Sequence, residues 1–549
     1  MSSLSAPAHT LASLKDRYLG SARTYDDVTG IDFLIDGDGY FRTLDEEIRA
    51  TEAGDRVYVL DWFHKPHFDL LGRTPEDPGY APIGQLLAER ANAGVDVRVV
   101  LTGSRYWTLT TYAPFLNDFQ AFETLRSQAP AGAKTPPLAN RVLFDWSGAV
   151  VTGTHHQKAV VLVRQGRLSA FLGGIGINDA AMDSAPHNSR QVPKAGIQWG
   201  WHDAAVRLDE GAAVAVYDNF SQRWTEAMSM PPTTLRVRAS LESLRPVQRV
   251  RYAPPTTLPP LPPAPPVRAA EGAMPATSVQ VLRSRFPHKL NQPMRRRVPW
   301  TTEGGGGVFE IYDTLRTAIE GAHTYIYIED QFMSDHPVIA SDMKHKITYA
   351  IGDLLIDRRI PKFSLFPHLA AALRRGVRVI MVGSGFSDPW DVVPGEQNAR
   401  LNVHLADLAR VNPDALAVWR LREMTVHSKV MIVDDAFAAV GSANMQARSM
   451  MGVDSELHVA LATQGSAVRD LRARLWAEHL AIDHDTAPSD VIDGLWDLDD
   501  ALGMWRRSWS AGDRWFVADQ PKGFTPAELQ PGIPRQRVVR QYVGPGAAE

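Results

Sequence analysis

Two hydrophobic patterns alternate along the chain. In "YFRTLDEEIRATEAGDRVYVLDWF", Tyr40 to Phe63, apolar residues first recur at helical spacing. After a glycine break they become a short β-rich run that ends in acidic and aromatic residues. The same succession returns in "VFEIYDTLRTAIEGAHTYIYIEDQF", Val308 to Phe332. A second matched pair follows, "IGQLLAERANAGVDVRVVLTGS" from Ile83 and "LFPHLAAALRRGVRVIMVGSG" from Leu365. Each reads as a helix, a glycine at its C-terminal cap and a fully apolar strand. Helices alternating with apolar strands predict an α/β fold, with a mostly parallel or mixed sheet covered by helices. The repetition predicts a duplicated unit.

Between the halves lies "APPTTLPPLPPAPPVRAAEGAMP", Ala253 to Pro275. So many prolines exclude helix and central strand, and predict an extended, semi-rigid connection. The expected organisation is a first lobe over 1–252, a linker over 253–278 and a second lobe with a C-terminal extension over 279–549.

A third matched pair carries the chemistry. "HHQKAVVLV" from His155 precedes "AFLGGIGIND", and "VHSKVMIVDD" from Val426 precedes "AAVGSANM". Of the 17 histidines, only His156 and His427 are followed two positions later by a lysine. Residues i and i+2 of a strand share a face. His156 with Lys158 and His427 with Lys429 therefore project as pairs, and the apolar run behind each pair fixes it. Two such pairs, one per half, are expected to meet and form one pocket with two imidazoles and two ammoniums.

Composition narrows the classes. The chain has 549 residues, is 44% hydrophobic and contains no cysteine. Disulfides, thiolate catalysis and cysteine-ligated zinc are thereby excluded. A net charge of −4 argues against a protein built mainly to grip a nucleic-acid backbone. No basic segment followed by an apolar one opens the chain, and no run of 18 or more apolar residues occurs. Neither a signal peptide nor a membrane span is expected. The expected location is the cytosol, or outside the cell by a signal-independent route.

The paired motifs resemble the phospholipase D superfamily, whose signature H-x-K-x4-D occurs once in each half. The second copy is complete in His427, Lys429 and Asp434, followed by Gly441-Ser442-Ala443-Asn444. In the first, His156, Lys158, Gly173-Gly174 and Asn178 match, but Val163 stands where the family's aspartate is expected. "GWHDAAVRLDEGAAVAVYDNFSQRW", "YIEDQF" and "RSMMGVDSELHVAL" extend the likeness to roughly residues 30–485. The resemblance implies a duplicated fold of two mixed-sheet lobes flanked by helices, with the active site between them.

It also implies a reaction. One imidazole attacks phosphorus and the other serves as general acid and base. The family makes His156 the nucleophile and His427 the acid/base, an order the residues alone leave open. Lys158, Lys429, Asn178 and Asn444 would stabilise transition-state charge. Asp203 and Glu456, at matching places, would orient the histidines, with Asp434 as structural support. No metal or other cofactor is required; Asp61 with His64 and His67 matches no metal-site spacing.

The expected partner is a phospholipid at a membrane or micelle interface, bound by a monomer, with no nucleic acid. Tyr106, Trp107, Tyr112, Phe115 and Trp390 follow matched strands, where they either meet acyl chains or pack as local core. The expected product is phosphatidic acid, with transfer to an added alcohol possible. Within the superfamily the alternatives are a nuclease, another phosphodiesterase or a phospholipid synthase. A lipid binder without turnover is the non-enzymatic reading.

Overall fold

The computed structural model describes residues 10–103, 113–145, 154–185, 200–229, 233–237, 248–258, 260–267, 277–285, 307–333, 363–384, 396–421, 425–483, 486–510 and 516–518. Two mixed sheets organise them. The first contains β1 (Ile31–Ile35), β2 (Arg56–Asp61), β3 (Asp96–Thr102), β4 (Val142–Asp145), β5 (Ala159–Arg164), β6 (Arg167–Gly173) and β7 (Ala204–Asp209). Its strand order is β1-β7-β6-β5-β2-β3-β4.

The main strands of the second are β8 (Thr277–Arg285), β9 (Tyr325–Asp330), β10 (Arg378–Ser384), β11 (Leu416–Leu421), β12 (Lys429–Val433), β13 (Phe437–Gly441) and β14 (Glu456–Thr463). Their order is β8-β14-β13-β12-β9-β10-β11. Adding seven to each label of the first sheet gives the second. The parallel pairs β2–β3 and β3–β4 correspond to β9–β10 and β10–β11. The antiparallel hairpins β5–β6 and β12–β13 also correspond.

Helices repeat in the same way. α1 (Leu11–Tyr18) opens the chain. α2 (Asp36–Arg49) and α3 (Ile83–Asn92) flank the first sheet, as α5 (Glu310–Gly321) and α6 (Phe366–Arg374) flank the second. α4 (Ala213–Ser229) follows β7, and α7 (Ala467–His479) follows β14. In α2, Tyr40, Phe41, Leu44 and Ile48 form a buried stripe, while Asp36 and Asp38 oppose the positive helix start.

The central strands are apolar on both faces because both faces are covered. One core joins the sheets: Tyr58, Val161 and Val206 from the first, Val430, Ile432 and Val459 from the second, with Phe220 of α4 and Trp476 of α7. Separate cores lie on the outer face of each sheet. Full burial of each Val, Leu or Phe contributes about 1.5–3 kcal/mol relative to exposure, so the joint core holds the two halves together.

The chain start crosses over. Thr24–Tyr25 pairs with β8, and Tyr18 of α1 donates to Asp434 at 2.9 Å. The described residues of the proline segment, 253–258 and 260–267, have no regular secondary structure. Leu258 and Leu261 pack on the joint core, and Arg56 donates to the Pro263 carbonyl at 3.0 Å. Among the described residues no helix is long and apolar enough to cross a membrane.

Candidate active site

Each H-x-K triple lies at the entrance to the strand predicted for it, β5 or β12, and is stitched to the opposite half. The His156 N–H donates to the Ser455 carbonyl at 2.9 Å, and the His427 N–H donates to the His202 carbonyl at 2.8 Å. The residue after each of those carbonyls is the carboxylate of the opposite lobe, Glu456 or Asp203.

The carboxylates therefore pair across the junction. His156 Nδ1 lies 3.0 Å from Glu456 Oε2 and 3.1 Å from the Ser442 carbonyl. His427 Nδ1 lies 2.6 Å from Asp203 Oδ2. A carboxylate at Nδ1 favours the tautomer with its proton there and leaves Nε2 for chemistry. Each carboxylate is itself held. Glu456 accepts from Ser442 Oγ at 2.6 Å and Ser449 Oγ at 2.7 Å, and Asp203 accepts the Ala204 N–H at 2.8 Å.

Lys158 Nζ donates to its own His156 carbonyl at 2.9 Å, and Lys429 Nζ donates likewise to the His427 carbonyl. The residues after the two central strands also contact the ammoniums. The Trp62 ring centre lies 5.2 Å from Lys158 Nζ, and Gln331 Oε1 lies 3.1 Å from Lys429 Nζ. Trp62 meets His156 edge-on at 4.9 Å, and Trp201 stacks on His427 at 4.3 Å.

Asn178 and Asn444 are both buried in the loops beyond β6 and β13, but they are not equivalent: the loop register matches Asn444 to Gly176 and Asn178 to Gln446, because the first loop reaches its asparagine two residues later. Asn178 Oδ1 caps the turn Asp179–Ala181. Both loops are clamped by the acid that ends the central strand. Asp61 Oδ2 accepts the Ile177 N–H at 3.0 Å, and Asp330 Oδ2 accepts the Met445 N–H at 2.7 Å. Asp61 also takes His64 Nδ1 at 2.8 Å.

Burial dominates the electrostatics. It pushes the His156 imidazole well below the usual histidine range, and the Lys158 and Lys429 ammoniums add to this. Burial, with Lys429, holds His427 down at about 3, against the pull of Asp203. Burial brings Lys158 to about 8. The two carboxylates diverge. Burial and nearby Asp454 push Glu456 up to about 8. For Asp203, His427, Lys429 and the Ala204 N–H outweigh burial and hold it below the usual range.

The structure thus brings His156, Lys158 and Glu456 together, and likewise His427, Lys429 and Asp203. Asp434 lies away from them at the far end of β12, where it accepts the His323, Thr324 and Tyr325 N–H groups. Tyr106, Trp107, Tyr112 and Trp390, and the Phe115 side chain, lie outside the described residues. Sequence reasoning overlooked Trp62, Trp201, Gln331 and the clamping role of Asp61 and Asp330. The signal was present: both repeats end their central strand on aspartate, in "VLDWF" and "IEDQF".

Comparison with known proteins agrees with this geometry. A family model described as Phospholipase D matches residues 50–347 and 398–491, more than half of the chain. Phospholipase D alpha 4 of Arabidopsis thaliana is 24% identical over 520 residues, covering 80% of this chain and 63% of its own length. Phospholipase D alpha 2 of Oryza sativa subsp. japonica is 25% identical over 558 residues, covering 82% and 65%. The chain thus spans somewhat less than two thirds of the length of these relatives. The crystal structure of a phosphatidylserine synthase from Haemophilus influenzae Rd KW20 shares the fold at a TM-score of 0.50 and 13% identity, over 97% of each chain. With both halves of the motif assembled at one junction and the family model spanning both, the chain belongs to the phospholipase D family.

Proposed function

We propose that the protein cleaves the distal phosphodiester of glycerophospholipids, giving phosphatidic acid and a free head-group alcohol. The observation that carries this reading is the crossed pairing: each histidine of one lobe is oriented by a carboxylate of the other, with a lysine beside each.

His156 is the nucleophile, the role the family resemblance gives to the first motif, and burial with two ammoniums keeps its ring neutral for attack. Its Nε2 attacks phosphorus, and the phosphorus–oxygen bond to the head group breaks. His427 donates its Nε2 proton to the departing alkoxide, and ionised Asp203 stabilises its imidazolium. The anionic substrate raises the proton affinity of His427, which takes up that proton from solvent as substrate binds. Neutral His427 then takes a proton from water, whose oxygen attacks phosphorus, and the phosphorus–nitrogen bond to His156 breaks. Lys158, Lys429, Asn178 and Asn444 stabilise the charge that grows on the equatorial oxygens. An added alcohol replaces water in the second step, which gives transphosphatidylation.

The test is release of choline or ethanolamine from defined phospholipids in mixed micelles, with short-chain alcohol added in parallel. Release of head group, with the phosphatidyl alcohol formed in the parallel sample, is expected. No release from any phospholipid, alongside cleavage of DNA, would contradict the lipid assignment.

A further inference from the structure

Behind the active site lies a buried cluster that the reaction does not use. His202 is fully buried on the short strand Trp201–His202, which pairs in parallel with Thr425–Val426 across the junction. Both of its ring nitrogens face carboxylates. Nε2 lies 2.7 Å from Glu329 Oε1 of β9. Nδ1 lies 3.1 Å from Asp36 Oδ1 of α2 and also meets Glu478 Oε1 of α7. Three carboxylates around one buried ring, two of them at ion-pair distance from Nδ1, favour the doubly protonated, charged form. His479 stands edge-on to His202 at 4.7 Å and turns its own Nε2 to Glu329 Oε2 at 2.7 Å.

Two triads here, His202–Glu329–His479 and Asp36–His202–Glu478, bring metal-ligand types together, and in the first of them Glu329 argues for protons instead. Its Oε1 also accepts from Ser428 Oγ, and its Oε2 accepts from Tyr327 OH at 2.6 Å. With His202 and His479, each oxygen has two donors and no free direction for a cation.

The cluster reaches the chemistry by two short routes. The His202 carbonyl accepts the N–H groups of both His427 and Ser428, at 2.8 and 3.1 Å. Asp36 and Asp203 exchange hydrogen bonds, N–H to carbonyl at 2.8 Å and N–H to Oδ1 at 3.2 Å. Asp36 holds φ at +58°, a left-handed conformation tolerated only where the surroundings fix it.

We propose that His202 is a permanently charged imidazolium that locks the two lobes together behind the site and sets the position of His427. It touches no reacting atom and is a positioning residue; the proposal rests on His427 acting as described above. Burial alone would push its pKa down, but Glu478, Glu329 and Asp36 outweigh burial and hold it well above the usual histidine range.

The test is nuclear magnetic resonance of the full chain with 15N-labelled histidine, from pH 6 to 9, with the His202 signals assigned by their loss in His202→Gln. Both ring nitrogens are expected to stay protonated throughout. A singly protonated ring at pH 7, or a signal that shifts on adding chelator, overturns the proposal. In parallel, per active site counted by phosphoenzyme burst, His202→Gln should lose about 100-fold in kcat, the scale of a small misplacement of a reacting group. KM should stay within about threefold, since ground-state binding is untouched. Unchanged kcat per site overturns the positioning role. If His202→Gln does not fold, Glu478→Gln, which removes one carboxylate, should lower kcat in the same direction by about tenfold, and unchanged kcat there counts against the proposal equally. The resonance result holds whether or not phospholipid proves to be the substrate.

Discussion

The two lobes tie the same hairpin to the same loop from opposite sides. After β12, Asp434 turns back with φ +54° and accepts three backbone N–H groups from His323, Thr324 and Tyr325, at 2.8, 2.8 and 2.9 Å. This binds the hairpin to the loop before β9. In the first lobe the matching residue is Val163, buried and paired with Arg56. There the hairpin residue Gln165 has φ +51° and donates its N–H to Asp55 Oδ1 at 2.8 Å. Asp55 belongs to the loop before β2 and also accepts the Glu52 N–H at 2.8 Å. The carboxylate has moved from the hairpin to the loop it holds. The motif aspartate is therefore a strut, and its replacement by valine leaves the histidine and lysine of the first lobe in place.

The comparison can be broken at several points. The largest effect is expected at the histidines: His156→Ala and His427→Ala should each lower kcat by about 10⁴-fold or more, and the double variant little further, because groups acting as a unit are not additive. Steady-state head-group release measures this, and a double variant that is far worse would break the unit.

Next come the crossed carboxylates. Asp203→Asn should cost about 10³–10⁴-fold in kcat, because it removes an ionised group from beside a developing imidazolium. Glu456→Gln, at a carboxyl already pushed up to about 8, should cost less, about 10–10²-fold. A reversed ranking in pre-steady-state bursts would exchange the roles of the two histidines.

The struts affect stability rather than rate. Asp434→Ala removes the acceptor of four hydrogen bonds and should cost about 2–4 kcal/mol, and Asp55→Ala about 1–2 kcal/mol. Chemical denaturation would check the order, and equal losses would undo the comparison.

The smallest effect is a pH dependence. Burial raises Asp330 to about 8, so the folded protein holds its proton more tightly than the unfolded chain. That contribution to stability is complete below about pH 4 and is lost as pH rises towards 8. Asp330→Asn should therefore gain in Tm relative to wild type as pH rises across that window. A difference that stays flat or falls would show the group ionised in the fold.

Much of this was legible in the sequence. The alternation of helical and fully apolar segments fixes the α/β architecture, because each sheet is covered on both faces. The H-x-K spacing places the lysines beside their histidines, but the repeat matches Asn178 to Asn444 across loops in which they stand two positions out of register. The crossing of the carboxylates was not legible. Asp203 stands 224 residues before His427, and Glu456 stands 300 after His156, and nothing local says that each acid serves the other lobe. Nor does the pattern reveal that Asp55 replaces the motif aspartate, since that tie depends on two loops meeting in space. The chain start crosses to the second lobe for a similar reason: Thr24–Tyr25 covers part of the outer edge of β8, whose far end is paired by Val308–Phe309.

The most direct test of the central claim is intact-protein and peptide mass spectrometry of His427→Ala, quenched without acid after mixing with a short-chain phosphatidylcholine. Both steps slow without the acid/base, but the second has no other route to an activated water. A phosphatidyl adduct on His156 that accumulates in the variant and turns over in wild type is expected. An adduct on His427 in His156→Ala, with none on His156, would contradict it.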